Sequence, residues 1–311
     1  MTWRERFLRI PHIWFLALLL IQLLPDAKEG DYYPAYVIGS AVILELFYLL
    51  VSLLSRKKET ISETGKLLSV VEILVLLWVL FGSKLDRLNA KMFPAPGIVF
   101  HQFIEDTQPL LAAVWISLRT ILEGFLLALV IAVPMGLILG WFKAVRSTAS
   151  YVVRFVSAIP PIVYIPYAIA LFPSMNAAKV FIIFVASYWP ILSGTMTGVV
   201  NIDRGILDSA RALGVGHLSM LLHVILPGAL PYIFNGMNQG LGISFILLTS
   251  AEMIAADSTN PGLGFYIWNF SNFANYKRVI PAIIVLGITI CLILFVIKKI
   301  QDFLLRWRAP V

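Results

Sequence analysis

NIDRGILDSARALGVGHLSMLLHVILPGALP, residues 201–231, is the longest polar interruption between two strongly apolar runs in the C-terminal half of the chain. It is too short to be a domain and too patterned to be a plain loop. Ile206, Leu207, Ala210 and Leu213 recur at helical spacing and predict one apolar stripe. Arg204, Asp208 and Arg211 fall on the other side, three and four residues apart, where their charges can pair. Gly214 follows Leu213 and suits a helix stop that needs a left-handed residue. A second short helix is predicted from His217 to Leu226, ended by Pro227. Two short helices with a glycine break, set between membrane spans, read as a docking device.

The rest of the chain supplies the membrane. Of 311 residues 59% are hydrophobic and only 13% charged, against roughly 25% charged in a soluble domain. This excludes a soluble protein and one held by a single anchor. The net charge of +7 is assigned to the Lys and Arg of cytoplasmic loops rather than to nucleic-acid binding. The single cysteine, Cys291, lies in an apolar run, so neither a disulfide framework nor a cysteine metal site is expected.

Eight spans are predicted, each near the ~20 residues that cross ~30 Å of hydrocarbon: 13–24, 35–54, 67–81, 113–141, 151–172, 177–200, 229–250 and 279–300. The first is read as a retained span, because Pro-Asp-Ala-Lys-Glu after Leu24 offers no small-x-small cleavage site. Glu45 stands in the middle of the second, where a carboxylate is expensive; it is read as protonated or facing another helix. Pro160, Pro161 and Pro166 should kink or break the fifth. An interfacial helix is expected around Ile98 to Ile104. Basic residues such as Arg4, Arg56, Lys57, Lys143, Arg211 and Lys298 gather in one set of loops, and fewer, such as Lys28 and Lys91, in the other. That bias predicts both termini, and the 201–231 loop, on the cytoplasmic side.

Asp208-Ser209-Ala210, then Gly214, then Val224, Leu226 and Pro227 resemble the coupling motif of ATP-binding-cassette import permeases, with Asp208 for the family Glu and Ser209 for the first Ala. A partnerless interfacial hairpin is the plain alternative, but it needs neither the small Ser209-Ala210-x-Ala212 run nor a fixed Leu-Pro. The similarity extends from Phe93-Pro94-Ala95-Pro96 through Ser117-Leu118-Arg119, Ile159-Pro160-Pro161 and Trp189-Pro190-Ile191 to Glu252 and Gly262-Leu263-Gly264, and is closest to the nitrate/sulfonate/taurine class. Leu171-Phe172-Pro173 departs from the Trp-Phe-Gly that members often carry.

The resemblance implies an all-α, polytopic fold: a type I importer (MetI-like) core over 61–311, with two extra helices in 1–60 for which it supplies no role. It implies an ATPase-coupling segment of Asp208, Ser209, Ala210, Arg211, Ala212, Leu213, Gly214, Val224, Leu226 and Pro227. Candidate pathway residues are Arg119, Glu123, Pro160, Pro161 and Glu252. Arg119 could attract an anion, though Glu123 one turn away can neutralise it. Glu252 reads equally as a gating or binding-protein contact and as a plain helix-end carboxylate. Gly236, Gly240 and Ser244 repeat every four residues and predict close helix packing, against a second permease copy.

Catalytic machinery is not expected: the chain has no GxxxxGK[ST] loop, and His12, His101, His217 and His223 lack metal-site spacing. The implied partners are ATPase subunits carrying ATP and Mg, an extracytoplasmic solute-binding protein, a second permease copy and membrane lipid, in a prokaryotic inner membrane. No nucleic acid is implied. The competing class is a stand-alone secondary transporter or channel. It would need a charge relay at membrane depth, for which Glu45, Arg119 and Glu123 are sparse.

Overall fold

The computed structural model describes residues 10–26, 32–55, 58–85, 87–255 and 257–306. These are helical almost throughout: α1 Ile10–Ile21, α2 Pro34–Leu54, α3 Lys58–Val79 with a π turn at Leu80–Lys84, α4 Pro96–Glu105, α5 Thr107–Trp141, α6 Lys143–Ser157, α7 Tyr164–Leu171, α8 Met175–Val200, α9 Arg204–Ala212, α10 His217–Met220, α11 Leu226–Ala255, α12 Leu263–Asn272 and α13 Tyr276–Leu304. With no water in hydrocarbon, only a helix of this kind satisfies its own backbone while spanning.

Among the described residues six helices are long and apolar enough to cross a membrane, and a bent pair makes a seventh. Three of the eight predicted spans differ. Among the described residues the first is a helix of 12 residues, about 18 Å long at 1.5 Å per residue and short of the hydrocarbon thickness. The fifth is broken as the prolines dictate: α6 ends at Ser157, and the chain turns by 70° into Pro161–Leu171. The predicted seventh span also begins earlier. Pro227 does not end the second loop helix, because a π turn at Leu221–Ile225, where Leu226 N–H bonds to Leu221 O, accommodates the missing donor. The helix therefore runs unbroken from His217 to Ala255.

The chain divides into two compact units, Met1–Pro109 with Asn269–Ile284, and Leu110–Trp268 with Val285–Val311. The first takes in residues well beyond the expected boundary near 60. In it, α1, α2 and α3 pack together around Leu18, Tyr48, Ile61 and Leu68. The predicted interfacial helix is α4, with Pro96 in its first turn. Trp78 Nε1–H donates to Pro94 O at 3.0 Å.

The second unit is organised by α8 against α11. Ile121, Phe125 and Ala132 of α5 join Ile183, Ile191 and Leu192 of α8 and Leu241, Phe245 and Leu248 of α11 in one core. In lipid, apolar contact alone gives little drive, so small residues that let backbones approach carry the association. A Cβ on Gly236 would lie 2.5 Å from Pro190 O, and one on Gly240 3.0 Å from Ser187 Cα. Ser187 and Ser244 share a hydrogen bond at 2.7 Å. The Gly236, Gly240, Ser244 stripe is thus filled by the chain's own α8, not by the second copy that the sequence suggested.

This yields a paired expectation. Gly240→Ala should destabilise the protein by about 1–3 kcal/mol through overpacking. Gly242→Ala, two residues away with nothing within 4 Å of its Cβ, should be neutral or stabilising by up to about 1 kcal/mol. Thermal unfolding in detergent compares the two.

Candidate functional site

Residues 201–231 build a short, well-terminated helix and a return into the long helix. Asp203 caps α9, accepting from Gly205 N–H at 2.6 Å. At the other end Gly214 takes φ +71. Gly214 N–H bonds to Arg211 O at 2.9 Å, and Val215 N–H to Ala210 O at 3.2 Å. Together these are the two bonds of a Schellman stop, which requires the left-handed residue predicted at 214.

The helix has two faces, and one differs from expectation. Ala210 points inward, 7% exposed, and packs with Leu137, Val199, Met220 and Ile225, flanked by Leu207 and Val215. It is therefore part of the chain's own core and not available to a partner. Val224 and Leu226 border the same cluster, and Pro227 is half-buried within the continuing helix. The outward face carries Asp208, Ser209, Arg211, Ala212 and Gly214, with Leu213 at 83%, Leu218 at 70% and Ile206 at 55% exposure. Arg211 donates to Asp208 Oδ1 at 2.8 Å, the i,i+3 pair foreseen from spacing. His223 lies by Ser219, its Nδ1 3.3 Å from the hydroxyl. α9 is thus a short helix with Ile206 exposed near its start, Leu213 exposed at its end, and a C-terminus pinned by the Schellman bonds.

The candidate pathway residues do not converge. Arg119 Nε donates to Glu123 Oε1 at 2.8 Å on an exposed helix face, so the guanidinium already has its counter-charge. Arg119 borders a small polar recess of about 280 Å³ with Trp115, Thr120, Asn176 and Asn260. Pro160 and Pro161 form the bend between α6 and α7 and lie at the surface. Glu252 is 2% exposed, and its carboxylate accepts from Ser117 Oγ at 2.9 Å and from Gly264 N–H at 2.7 Å. Leu263 N–H in turn donates to Ser117 Oγ at 2.9 Å. A Cβ on Gly262 would sit 1.9 Å from Glu252 Oε1, so the Gly-Leu-Gly turn is wrapped onto the carboxylate. Glu252 therefore acts as a structural clasp between α5, α11 and the start of α12.

Beside it lies a pair that spacing did not reveal. Lys179, 2% exposed, reaches Asp257 Oδ2 at 3.3 Å and Asn260 O at 3.4 Å. Burial pushes the Asp257 carboxyl up. The Thr259 hydroxyl and amide and the Lys179 ammonium outweigh it and hold the group below its ordinary 3.8. The available signal was Lys179 itself, a cation inside an apolar run with no sequence neighbour to pair it.

The family profile for the "binding-protein-dependent transport system inner membrane component" matches residues 110–309. A putative ABC transporter permease of Methanocaldococcus jannaschii is 27% identical over 78% of this chain and 91% of its own. The bicarbonate transport system permease protein CmpB of Synechococcus elongatus is 28% identical over 78% of this chain and 90% of its own. The nitrate import permease protein NrtB of Leptolyngbya laminosa is 31% identical over 55% of this chain and 61% of its own.

Proposed function

Because the chain belongs to the family of binding-protein-dependent transport inner membrane components, and is thus a multi-pass permease subunit of an importer, we propose that the outward face of α9 docks a separate ATPase. The observation that carries this is the exposure of Ile206 and Leu213 on a loop helix closed by Gly214. Large apolar side chains so exposed outside the spans favour a partner. ATP binding in the partner moves the docked loop, and α10 continues without a break into α11, so the motion passes directly into a spanning helix. Two permease copies enclose the pathway, which alternates between outward and inward openings. ATP and Mg belong to the ATPase.

The solute is proposed to be a small molecule of the kind this family imports, nitrate, bicarbonate, a sulfonate, taurine or a vitamin precursor, with the small anions favoured. The names of the relatives support this. Arg119 is neutralised by Glu123, so choice among anions is assigned to an extracytoplasmic solute-binding protein rather than to this chain.

The proposed orientation puts the α9 loop and the C-terminus in the cytoplasm; with seven spans the expectation of both termini there would require α1 to cross as well. In a background lacking Cys291, Ser258→Cys should react with a membrane-impermeant maleimide in intact cells, and Ser209→Cys only in inverted vesicles. Both positions are exposed. The reverse pattern would overturn the orientation and with it the docking role.

A further inference from the structure

We propose that His12, Glu45 and Glu72 form a proton-binding site within the membrane-spanning part of the first unit. The site lies outside the residues 110–309 that match the family. Glu45 sits near the middle of α2 and Glu72 near the middle of the span Lys58–Lys84. Glu72 is 1% and Glu45 9% exposed. The two lie within electrostatic reach of each other. His12 of α1 pairs through Nδ1 with Glu45 Oε1. Tyr48 packs edge-on against the imidazole, with ring centroids 5.5 Å apart.

Charge counting leaves one proton to place. Two carboxylates within electrostatic reach of each other in a medium of low dielectric cannot both ionise against one imidazolium without a net charge in the hydrocarbon. Among the described residues neither Glu45 nor Glu72 has a Lys or Arg in ion-pair contact. In every neutral arrangement of the three groups at least one carboxyl is protonated, and the deeply buried Glu72 is the one assigned that proton.

The unmet hydrogen bonds point the same way. His12 Nε2, Glu45 Oε2 and Glu72 Oε2 are buried and have no partner. Buried polar groups are as a rule hydrogen-bonded, so three unmatched atoms in one place call for an occupant. Among the described residues no three His, Cys, Asp or Glu are arranged to hold a metal ion, so the ligand is assigned as the proton. A mostly apolar groove of about 830 Å³ between α1 and α3 reaches the imidazole, with Ser62, Lys66 and Ser69 among its lining residues.

The other groups near the site are Ser52 on α2 and, on α3, Ser69 with the exposed Lys66. On α4, His101 and Glu105 pair with each other at 3.8 Å, and His101 stacks on Tyr33.

Infrared spectroscopy of the full-length chain in lipid nanodiscs tests this. At neutral pH the wild type should show the carbonyl stretch of a protonated carboxylic acid, shifted in D2O and lost as pH is raised. Glu72→Gln should remove that band. Glu45→Gln, which removes the nearby like charge, should keep it and move its loss to lower pH. The second variant and the wild-type titration decide the matter if Glu72→Gln does not fold. A neutral-pH spectrum without the band, a band that survives Glu72→Gln, or a titration unchanged by Glu45→Gln would overturn the proposal. So would loss of the band on adding Na+ or K+ at fixed pH, which would assign the site to an alkali cation.

Discussion

Leu213→Glu is expected to separate the permease from its ATPase while leaving the permease in the membrane. Leu213 is 83% exposed, at the C-terminal edge of α9, and contributes nothing to the core of its own chain. Buried at an interface it would act as a hot spot, and a carboxylate there would be stranded without a partner. The expected loss is about 2–4 kcal/mol of docking free energy, roughly 30- to 700-fold in affinity. Copurification of the ATPase and solute uptake should both fail, at normal membrane abundance and an unchanged thermal midpoint. Ala210→Glu serves less well, because Ala210 is buried among Leu137, Val199, Met220 and Ile225. That change would damage the permease itself, so loss of transport would not identify an interface. Retention of the ATPase by a well-expressed Leu213→Glu protein would remove α9 from the coupling machinery.

Lys179→Met is expected to have the largest effect on stability. Lys179 and Asp257 are both nearly buried and 3.3 Å apart. Removing one member of such a pair leaves the other charged and uncompensated, at a cost of about 3–5 kcal/mol. The partner's response to pH gives the sign. Asp257 is held below its ordinary 3.8 in the folded protein, so its contribution is fully present above that value and is lost as pH falls through the lower, folded value. Thermal unfolding of the wild type should therefore weaken under acid conditions, and Lys179→Met should flatten that part of the profile while lowering the midpoint throughout. Adding Asp257→Asn to Lys179→Met should recover much of the loss. A single variant as stable as wild type would show that the pair contributes nothing.

What could be read from the chain beforehand depended on how local the cause was. The stop at Gly214 is set by one residue's freedom to take positive φ, and it appeared where expected. The break at Pro160 and Pro161 follows from two missing donors, and the chain bends there by 70°. The Arg119–Glu123 and Asp208–Arg211 pairs follow from helical spacing alone. Pro227 has an equally local signal, yet the helix passes through it, because a π turn just upstream rearranges the hydrogen bonds. No residue type announces such a turn.

Orientation and long-range pairing were harder to read. The stripe Ile206, Leu207, Ala210, Leu213 was correctly apolar, but periodicity does not say which members the rest of the chain will cover. The structure takes Ala210 and leaves Leu213 and Ile206 outside. Gly236 and Gly240 signalled close packing, but the expected partner, a second copy, was wrong: the stripe is filled by α8. Ser117 with Glu252 is separated by 135 residues and Lys179 with Asp257 by 78, so only the three-dimensional path of the chain brings them together. The first apolar stretch was placed at 13–24, whereas the helix is Ile10–Ile21, three residues earlier and of the same 12-residue length.

Docking of α9 on the ATPase is tested most directly by site-specific photocrosslinking in the assembled importer, with a photoreactive residue placed at position 213 in a variant lacking the exposed Cys291. Position 171, equally exposed at the end of α7, is the control. A crosslink from 213 to the ATPase, absent from 171 and altered by ATP, is the predicted result. A complex that hydrolyses ATP and takes up solute, yet gives no crosslink from 213, would contradict the assignment of α9 as the coupling element.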